Sequence, residues 1–398
     1  MAYRFSVFAC LCLYFFTGYG MGQAQARPSL VFEVKSGRVL HAEQAGIPWH
    51  PASLTKLMTA YIVFGEIASG RLKKNQKIKV SKAAMSAPPS KIGVPAGKTV
   101  TVQQALRAMA IRSANDMAVV LAEAVSGSEK AFARKMTRMA RTLGMTGSNF
   151  VNAHGLPDPE QITTARDMGL LARAIILKYP KQSKVFGERY LKWGKKKLRN
   201  RNKLLRTFKG ADGLKTGFIC ASGFNLVASA TRRGKRLVSV FLGAPTASYR
   251  FAASARLLEK GFSQKFTALR FKRKVAMLAN SGGRKAPANL RPDVCEKQRV
   301  ATITKADKLK GWGILFGVYK TSKSAKRVLL NSMANLRGAV RGAQAAVLNG
   351  KAKNRHGAVL AGLNLKEAKF ACDWLSKAGA RCVKISPKQM RRPMALLR

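Results

Sequence analysis

The chain has 398 residues, 47% of them apolar, which excludes a disordered solvating polymer and leaves room for two or three packed domains. Its 74 Lys and Arg face only 17 Asp and Glu, a formal net charge of +57 that in a cytoplasmic protein points first to nucleic acid. The N-terminus argues against that address. Arg4 is the only charge before an apolar run from Phe5 to Phe16, and small residues then lead to Ala24-Gln25-Ala26, the A-x-A pattern of a cleavable secretory signal over residues 1–26. The chain is therefore expected in the periplasm or cell envelope, where the anionic partners are wall polymers, glycolipids and membrane phosphates. The apolar core of the signal is short for a bilayer span and no second long apolar run follows, so membrane association stays open.

In chain order, Ser29 to Val34 and Val39 to Glu43 flank a turn at Lys35-Ser-Gly-Arg38, a hairpin pattern expected at the edge of an antiparallel sheet. Pro51-Ala-Ser-Leu-Thr-Lys56 opens a helix that continues in an apolar pattern through Phe64. Residues 81–98 are broken by Pro88, Pro89, Gly93, Pro95 and Gly97 and read as loop. Thr101 to Val125 is helical, interrupted at Ser113-Ala-Asn115, and Ser128 to Leu143 is an amphipathic helix stopped by Gly144. A turn-rich loop at 152–159 precedes a helix from Thr164 to Leu177. The basic stretch Tyr190 to Lys203 reads as a solvated loop or hairpin. Ala211-Asp-Gly-Leu-Lys-Thr-Gly217 leads into two strands, Gly223 to Ala230 and Arg236 to Leu242, and a helix from Ala252 to Gly261.

Residues 263–310 lose periodicity and read as a basic linker. From 311 to 386 a strand (Gly311 to Tyr319), a helix (Ser324 to Leu336), two strands (Ala345 to Leu348, Gly357 to Leu363), a helix (Lys366 to Ala378) and a strand (Arg381 to Ile385) make a duplicated strand-helix-strand unit of a small α+β domain. The tail 387–398 is basic. With the signal removed, Cys220, Cys295, Cys372 and Cys382 remain in an oxidising compartment, with three complete pairings open.

Three short motifs carry the chemistry. Ser53 and Lys56 are three apart, so a helix puts them on one face with the amine in reach of the hydroxyl. A serine needs a base to become a nucleophile. None of the four histidines stands in a familiar triad pattern, which leaves lysine as the base. An ordinary lysine pKa of about 10.4 must fall for that task, and burial plus a neighbouring Lys215 would lower it. Ser113 then passes a proton to the leaving amine, Asn115 holds the substrate amide, and Lys215, Thr216 and Gly217 on an edge strand bind a carboxylate. Neither a metal nor an organic cofactor is implied.

In this order the motifs match the serine penicillin-binding proteins and class A β-lactamases. The stretches PASLTKLMTA, SANDMAVVLAE, NAHGLPDPE and DGLKTGFICASGFNLVASA make residues 27–262 resemble a D-alanyl-D-alanine carboxypeptidase of the low-molecular-mass penicillin-binding type. That resemblance implies an antiparallel sheet flanked by helices, an α/β (α+β) fold, with a helical subdomain holding the Ser113 motif. It also implies an acyl-enzyme on Ser53, inhibition by β-lactams, an oxyanion hole from the N–H groups of Ser53 and Phe218, and Arg250 as a clamp on the substrate carboxylate. Phe218 departs from the histidine or other polar residue that many relatives carry. The unit 311–386 resembles a SPOR domain, through WGILFG and AVLAG, which implies binding to glycan strands; Cys372 and Cys382 could pair across it.

The expected activity is removal of the terminal D-alanine from peptidoglycan stem pentapeptides. A D,D-endopeptidase shares every motif. A class A β-lactamase is disfavoured, because no Glu-x-x-Leu-Asn stands between Asn115 and Lys215. A non-catalytic wall-binding protein is opposed by the intact motifs, and a nucleic-acid binder by the signal.

Overall fold

A computed structural model describes residues 27–263, 273–281, 286–295, 301–303, 309, 311–336, 343–349, 354–377 and 382–390. The expected signal peptide and the end of the basic tail lie outside them.

The first unit is built on a five-stranded antiparallel sheet in the order β2-β1-β9-β8-β7. Its strands are β1 (Ser29–Glu33), β2 (Val39–Glu43), β7 (Ala211–Ile219), β8 (Gly223–Arg232) and β9 (Lys235–Ala244). The first hairpin forms the edge as expected, with Gly37 at φ +73° in the turn. β8 and β9 lie inside the sheet and are covered on both faces, which is why their apolar runs do not alternate. Leu226, Ala228, Ala230 and Leu237 pack with Leu258 of the helix Ala247–Phe262, while Val227, Val238, Val240 and Leu242 join the main core on the other face.

That core contains α1 (Lys56–Ala68), α2 (Val102–Arg112), α3 (Asn115–Ser126), α4 (Glu129–Thr142) and α5 (Ala165–Lys178). The 247–262 helix is α6. A short 3-10 turn, Ala52–Thr55, precedes α1, so Ser53 opens the helix as expected, one turn ahead of its regular part. A reciprocal capping box between Thr101 and Gln104 starts α2, and it stops at Ser113, whose φ of +63° breaks the helix where the sequence is interrupted.

Residues 81–98, read as loop, include a short helix at Lys82–Ser86 and lead into β4 (Thr99–Thr101), which pairs with β3 (Lys77–Lys79). The basic stretch forms a hairpin, β5 (Tyr190–Trp193) with β6 (Lys196–Arg199). It is less solvated than its composition suggests, because Leu191, Asn200 and Asn202 are buried.

The stretch read as a linker is in part docked on this unit. Val39 N–H donates to Arg273 O, Val275 enters the core, and Arg166 grips the Leu278 and Ala276 carbonyls. Further on, Leu290 N–H donates to Ala221 O and Cys295 is disulfide-bonded to Cys220. Docking through backbone groups and isolated apolar residues leaves no periodic trace in a sequence.

The second unit has β10 (Ala301–Ile303), β11 (Trp312–Tyr319), α7 (Ser322–Leu336), β12 (Gln344–Asn349), β13 (His356–Leu363), α8 (Leu365–Lys377) and β14 (Val383–Ile385). Its sheet runs β10-β12-β13-β11-β14, so the last four strands and two helices form the βαββαβ arrangement read from sequence. A disulfide joins Cys372 of α8 to Cys382. Among the described residues, no helix is long and apolar enough to cross a membrane.

Candidate active site

Three elements meet where β7, the edge strand, passes the 3-10 turn that carries Ser53. The approach is close: a Cβ on Gly217 would stand 2.9 Å from Pro51 O and 3.2 Å from the Ser53 nitrogen. On the other flank, Gly155 sits at φ +84° with no room for a side chain, since a Cβ would meet the Ala52 carbonyl oxygen. Ala52 has a positive φ of 49°, so Ser53 is presented on a turn braced from both sides.

Lys56 is wholly buried, and its Nζ donates to Ser53 Oγ at 3.1 Å, Asn115 Oδ1 at 2.7 Å and His154 O at 2.6 Å. Three acceptors therefore fix the amine against the hydroxyl. Burial pulls the Lys56 pKa down to about 7, and Arg201 adds to this, while Glu129 and Asp116 oppose it. Lys215 is also buried and its Nζ donates to Ser113 Oγ and Thr216 O, both at 2.9 Å. Burial, then the Lys56 charge, then Arg201 and Arg250 hold Lys215 well below the ordinary lysine value. The two lysines disfavour each other's charge as expected, and Arg201 is a further cation that lowers both.

Asn115, at the start of α3, uses Oδ1 for Lys56 and donates from Nδ2 to Pro88 O at 2.7 Å, leaving one N–H for a ligand. Its own N–H donates to Ser90 O, so the 87–98 segment is tied to the site. Arg250, on α6, donates through Nη1 to Gly217 O at 3.0 Å and Asn225 O at 3.2 Å. Burial lowers its pKa to about 10, and it remains charged at neutral pH. Thr216 is buried beside it and Phe218 is exposed on the same strand.

The structure brings together Ser53, Lys56, Ser113, Asn115, Lys215, Thr216, Gly217, Phe218 and Arg250. It adds residues to which the sequence reading gave no role. Arg201, inside the basic stretch, donates to Arg112 O and to Ser90 Oγ at the mouth of the site. His154 supplies a carbonyl to Lys56, and its buried ring, with a pKa pushed down to about 3 by burial and by Lys56, is a neutral imidazole at pH 7. Its Nδ1 accepts from Leu156 N–H, which puts the ring proton on Nε2, 3.3 Å from Glu129 Oε1. Glu129 also accepts from Ala153 N–H. Two guanidinium groups, Arg201 and Arg250, and the basic Lys215 suit the site to an anionic ligand, and the buried Lys56 amine of lowered pKa is the proton acceptor that a serine nucleophile requires.

The family described as D-alanyl-D-alanine carboxypeptidase, peptidase S11, matches residues 18–246. The chain belongs to that family. It is 37% identical over 249 residues to the D-alanyl-D-alanine carboxypeptidase DacC of Escherichia coli K12, covering 60% of this chain and 61% of that protein. It is 34% identical over 254 residues to DacF of Bacillus subtilis, covering 63% and 65%. The match spans less than two thirds of the length of these relatives. Among solved structures, penicillin-binding protein 5 from Haemophilus influenzae superposes with a TM-score of 0.58 at 34% identity, covering 60% of this chain and 71% of that one. Penicillin-binding protein D2 from Listeria monocytogenes, solved in an ampicillin-bound form, gives 0.53 at 32%, covering 60% and 97%. The match to this family ends before the second unit.

Proposed function

We propose that the chain is an exported serine D,D-carboxypeptidase that removes the terminal D-alanine from peptidoglycan stem pentapeptides and is inhibited by β-lactams. The observation that carries this is the Ser53 hydroxyl in contact with the buried amine of Lys56, itself brought near neutrality by burial. Neutral Lys56 takes the proton as Ser53 Oγ attacks the penultimate D-alanine carbonyl. The N–H groups of Ser53 and Phe218 hold the oxyanion. Ser113, bonded to Lys215, relays the proton held by Lys56 to the leaving amine, D-alanine departs, and Lys56, neutral again, takes a proton from the water that hydrolyses the ester. Lys215, Thr216 and Arg250 hold the terminal carboxylate, while Asn115 offers its remaining N–H to the substrate amide.

Bound to the second unit we place glycan strands, as in a SPOR domain. Its βαββαβ order and the strand WGILFG support that reading. The positive charge is then a means of retention on anionic envelope polymers, which added salt should weaken.

The test is intact-protein mass spectrometry of residues 27–398 after exposure to benzylpenicillin, beside Ser53→Ala, followed by release of D-alanine from a stem pentapeptide. A stable adduct on the wild type alone, with D-alanine release, is the expected result. No adduct with intact antibiotic favours a wall-binding protein, destruction of the antibiotic without an adduct a β-lactamase, and cleavage of cross-linked dimers only an endopeptidase.

A further inference from the structure

Phe218 follows Lys215-Thr216-Gly217 directly on β7, and although aromatic it is 42% exposed. β7 is the sheet edge, and its register with β8 runs unbroken from Gly213 opposite Ser229 to Ile219 opposite Gly223. Side chains therefore alternate between the two faces. Gly217 faces the turn that carries Ser53, so Thr216 and Phe218 share the opposite face.

That is the face reached by Arg250. Its guanidinium carbon lies 5.4 Å from the ring centre of Phe224. Phe224 is the cross-strand partner of Phe218, and the two rings stack with centroids 4.2 Å apart and planes at 28°. Arg250, Phe224 and Phe218 thus form a row running from a buried charge to an exposed ring, alongside Thr216. The β7–β8 turn that bears both rings is held from outside by the Cys220–Cys295 disulfide and by the bond from Leu290 N–H to Ala221 O. A platform fixed in this way loses little freedom when a ligand covers it.

We propose that Phe218 and Phe224 form an apolar subsite for the side chain of the leaving residue, taking a C-terminal D-amino acid whose side chain is apolar and larger than methyl. The inference rests on the reading of Ser53, Thr216 and Arg250 given above. With the carboxylate held between Thr216 and Arg250, the side chain on the same carbon falls next to the Phe218 ring. An aromatic face rewards apolar area and gives a carboxylate or a neutral polar side chain little in return for its lost hydration.

The experiment uses the full chain and two stem peptides that differ only in ending with D-alanine or D-leucine. The kcat/KM of each is followed by release of the free D-amino acid, for the wild type, Phe218→Ala and Phe218→Tyr. The wild type is expected to cleave the D-leucine peptide at least as well as the D-alanine peptide. Phe218→Ala should lower the D-leucine to D-alanine ratio about tenfold, and Phe218→Tyr, which keeps the ring, should preserve it. Taking a ratio removes any common effect on the Phe218 N–H. An unchanged ratio in Phe218→Ala, or a wild type that cleaves only the D-alanine peptide, overturns the subsite alone. A wild type that cleaves neither peptide overturns the proposed activity, and the subsite with it.

Discussion

Lys56 Nζ stands 3.1 Å from Ser53 Oγ, and this contact is longer than the two that anchor the same amine to Asn115 and His154. The amine is thus held by the protein and only offered to the hydroxyl. Because its pKa is lowered to about 7, the acceptor form is the minority below that pH and the majority above it. Acylation by benzylpenicillin should therefore rise with pH to a plateau, with its midpoint near 7 and a tenfold loss per unit on the acid side. Lys56→Arg, which cannot deprotonate, should lose about 10²–10⁴-fold in acylation rate. Glu129 raises the Lys56 pKa. Glu129→Gln keeps an acceptor for Ala153 N–H and removes the charge, so the midpoint should move to lower pH. Stopped-flow acylation across pH 5–9 checks all three.

Lys215 presents the complementary case. Its charge is disfavoured in the free site by burial and by Lys56, and an incoming carboxylate would restore it. Lys215→Ala should raise KM for a free-carboxylate peptide with a cost of about 2–5 kcal/mol in kcat/KM. The same peptide with an amidated C-terminus should be cleaved poorly by the wild type and be affected far less by the substitution. Equal losses on both peptides would place Lys215 in proton transfer through Ser113 instead.

Much of this site was legible because its chemistry is local in sequence. Ser53 and Lys56 are three residues apart, and Lys215, Thr216 and Gly217 are consecutive. The helix break at Ser113 was visible for the same reason. What escaped reading depends on contacts that a residue's identity does not announce. His154 acts through its carbonyl oxygen, which any residue possesses, and Glu129 through a single carboxylate. Arg201 was hidden by its surroundings, since one bound guanidinium cannot be told from its neighbours in so basic a stretch. The docking of 273–281 and 286–295 escaped because backbone hydrogen bonds and a disulfide partner follow no periodicity.

The two disulfides close loops of different size, with sequence separations of 75 and 10. On loop-closure entropy the first should contribute about 4.5 kcal/mol and the second about 2.7 kcal/mol. Cys295→Ser should lower the melting temperature of the first unit by several degrees, and Cys382→Ser that of the smaller second unit by at least as much, because each kcal/mol moves the midpoint of a small unit further. Calorimetry with and without reductant separates the two transitions. Unchanged melting temperatures in both Cys→Ser variants would show that neither bond constrains the unfolded chain.

Gly155 gives the sharpest test of how Ser53 is presented. It lies at φ +84°, and an added Cβ would collide with the Ala52 carbonyl, the peptide unit just before Ser53. Gly70 has a similar φ of +76° with nothing within 4 Å of the same position. Gly70→Ala should therefore cost only the left-handed penalty of about 1–2 kcal/mol and leave acylation intact. Gly155→Ala adds a backbone collision to that penalty, and the turn at Ala52 must move to relieve it. Both melting temperature and benzylpenicillin acylation should fall, the latter by about tenfold or more, since small displacements of a reacting group are costly. A Gly155→Ala protein that acylates like Gly70→Ala would show that Ser53 is positioned by Lys56 and β7 alone.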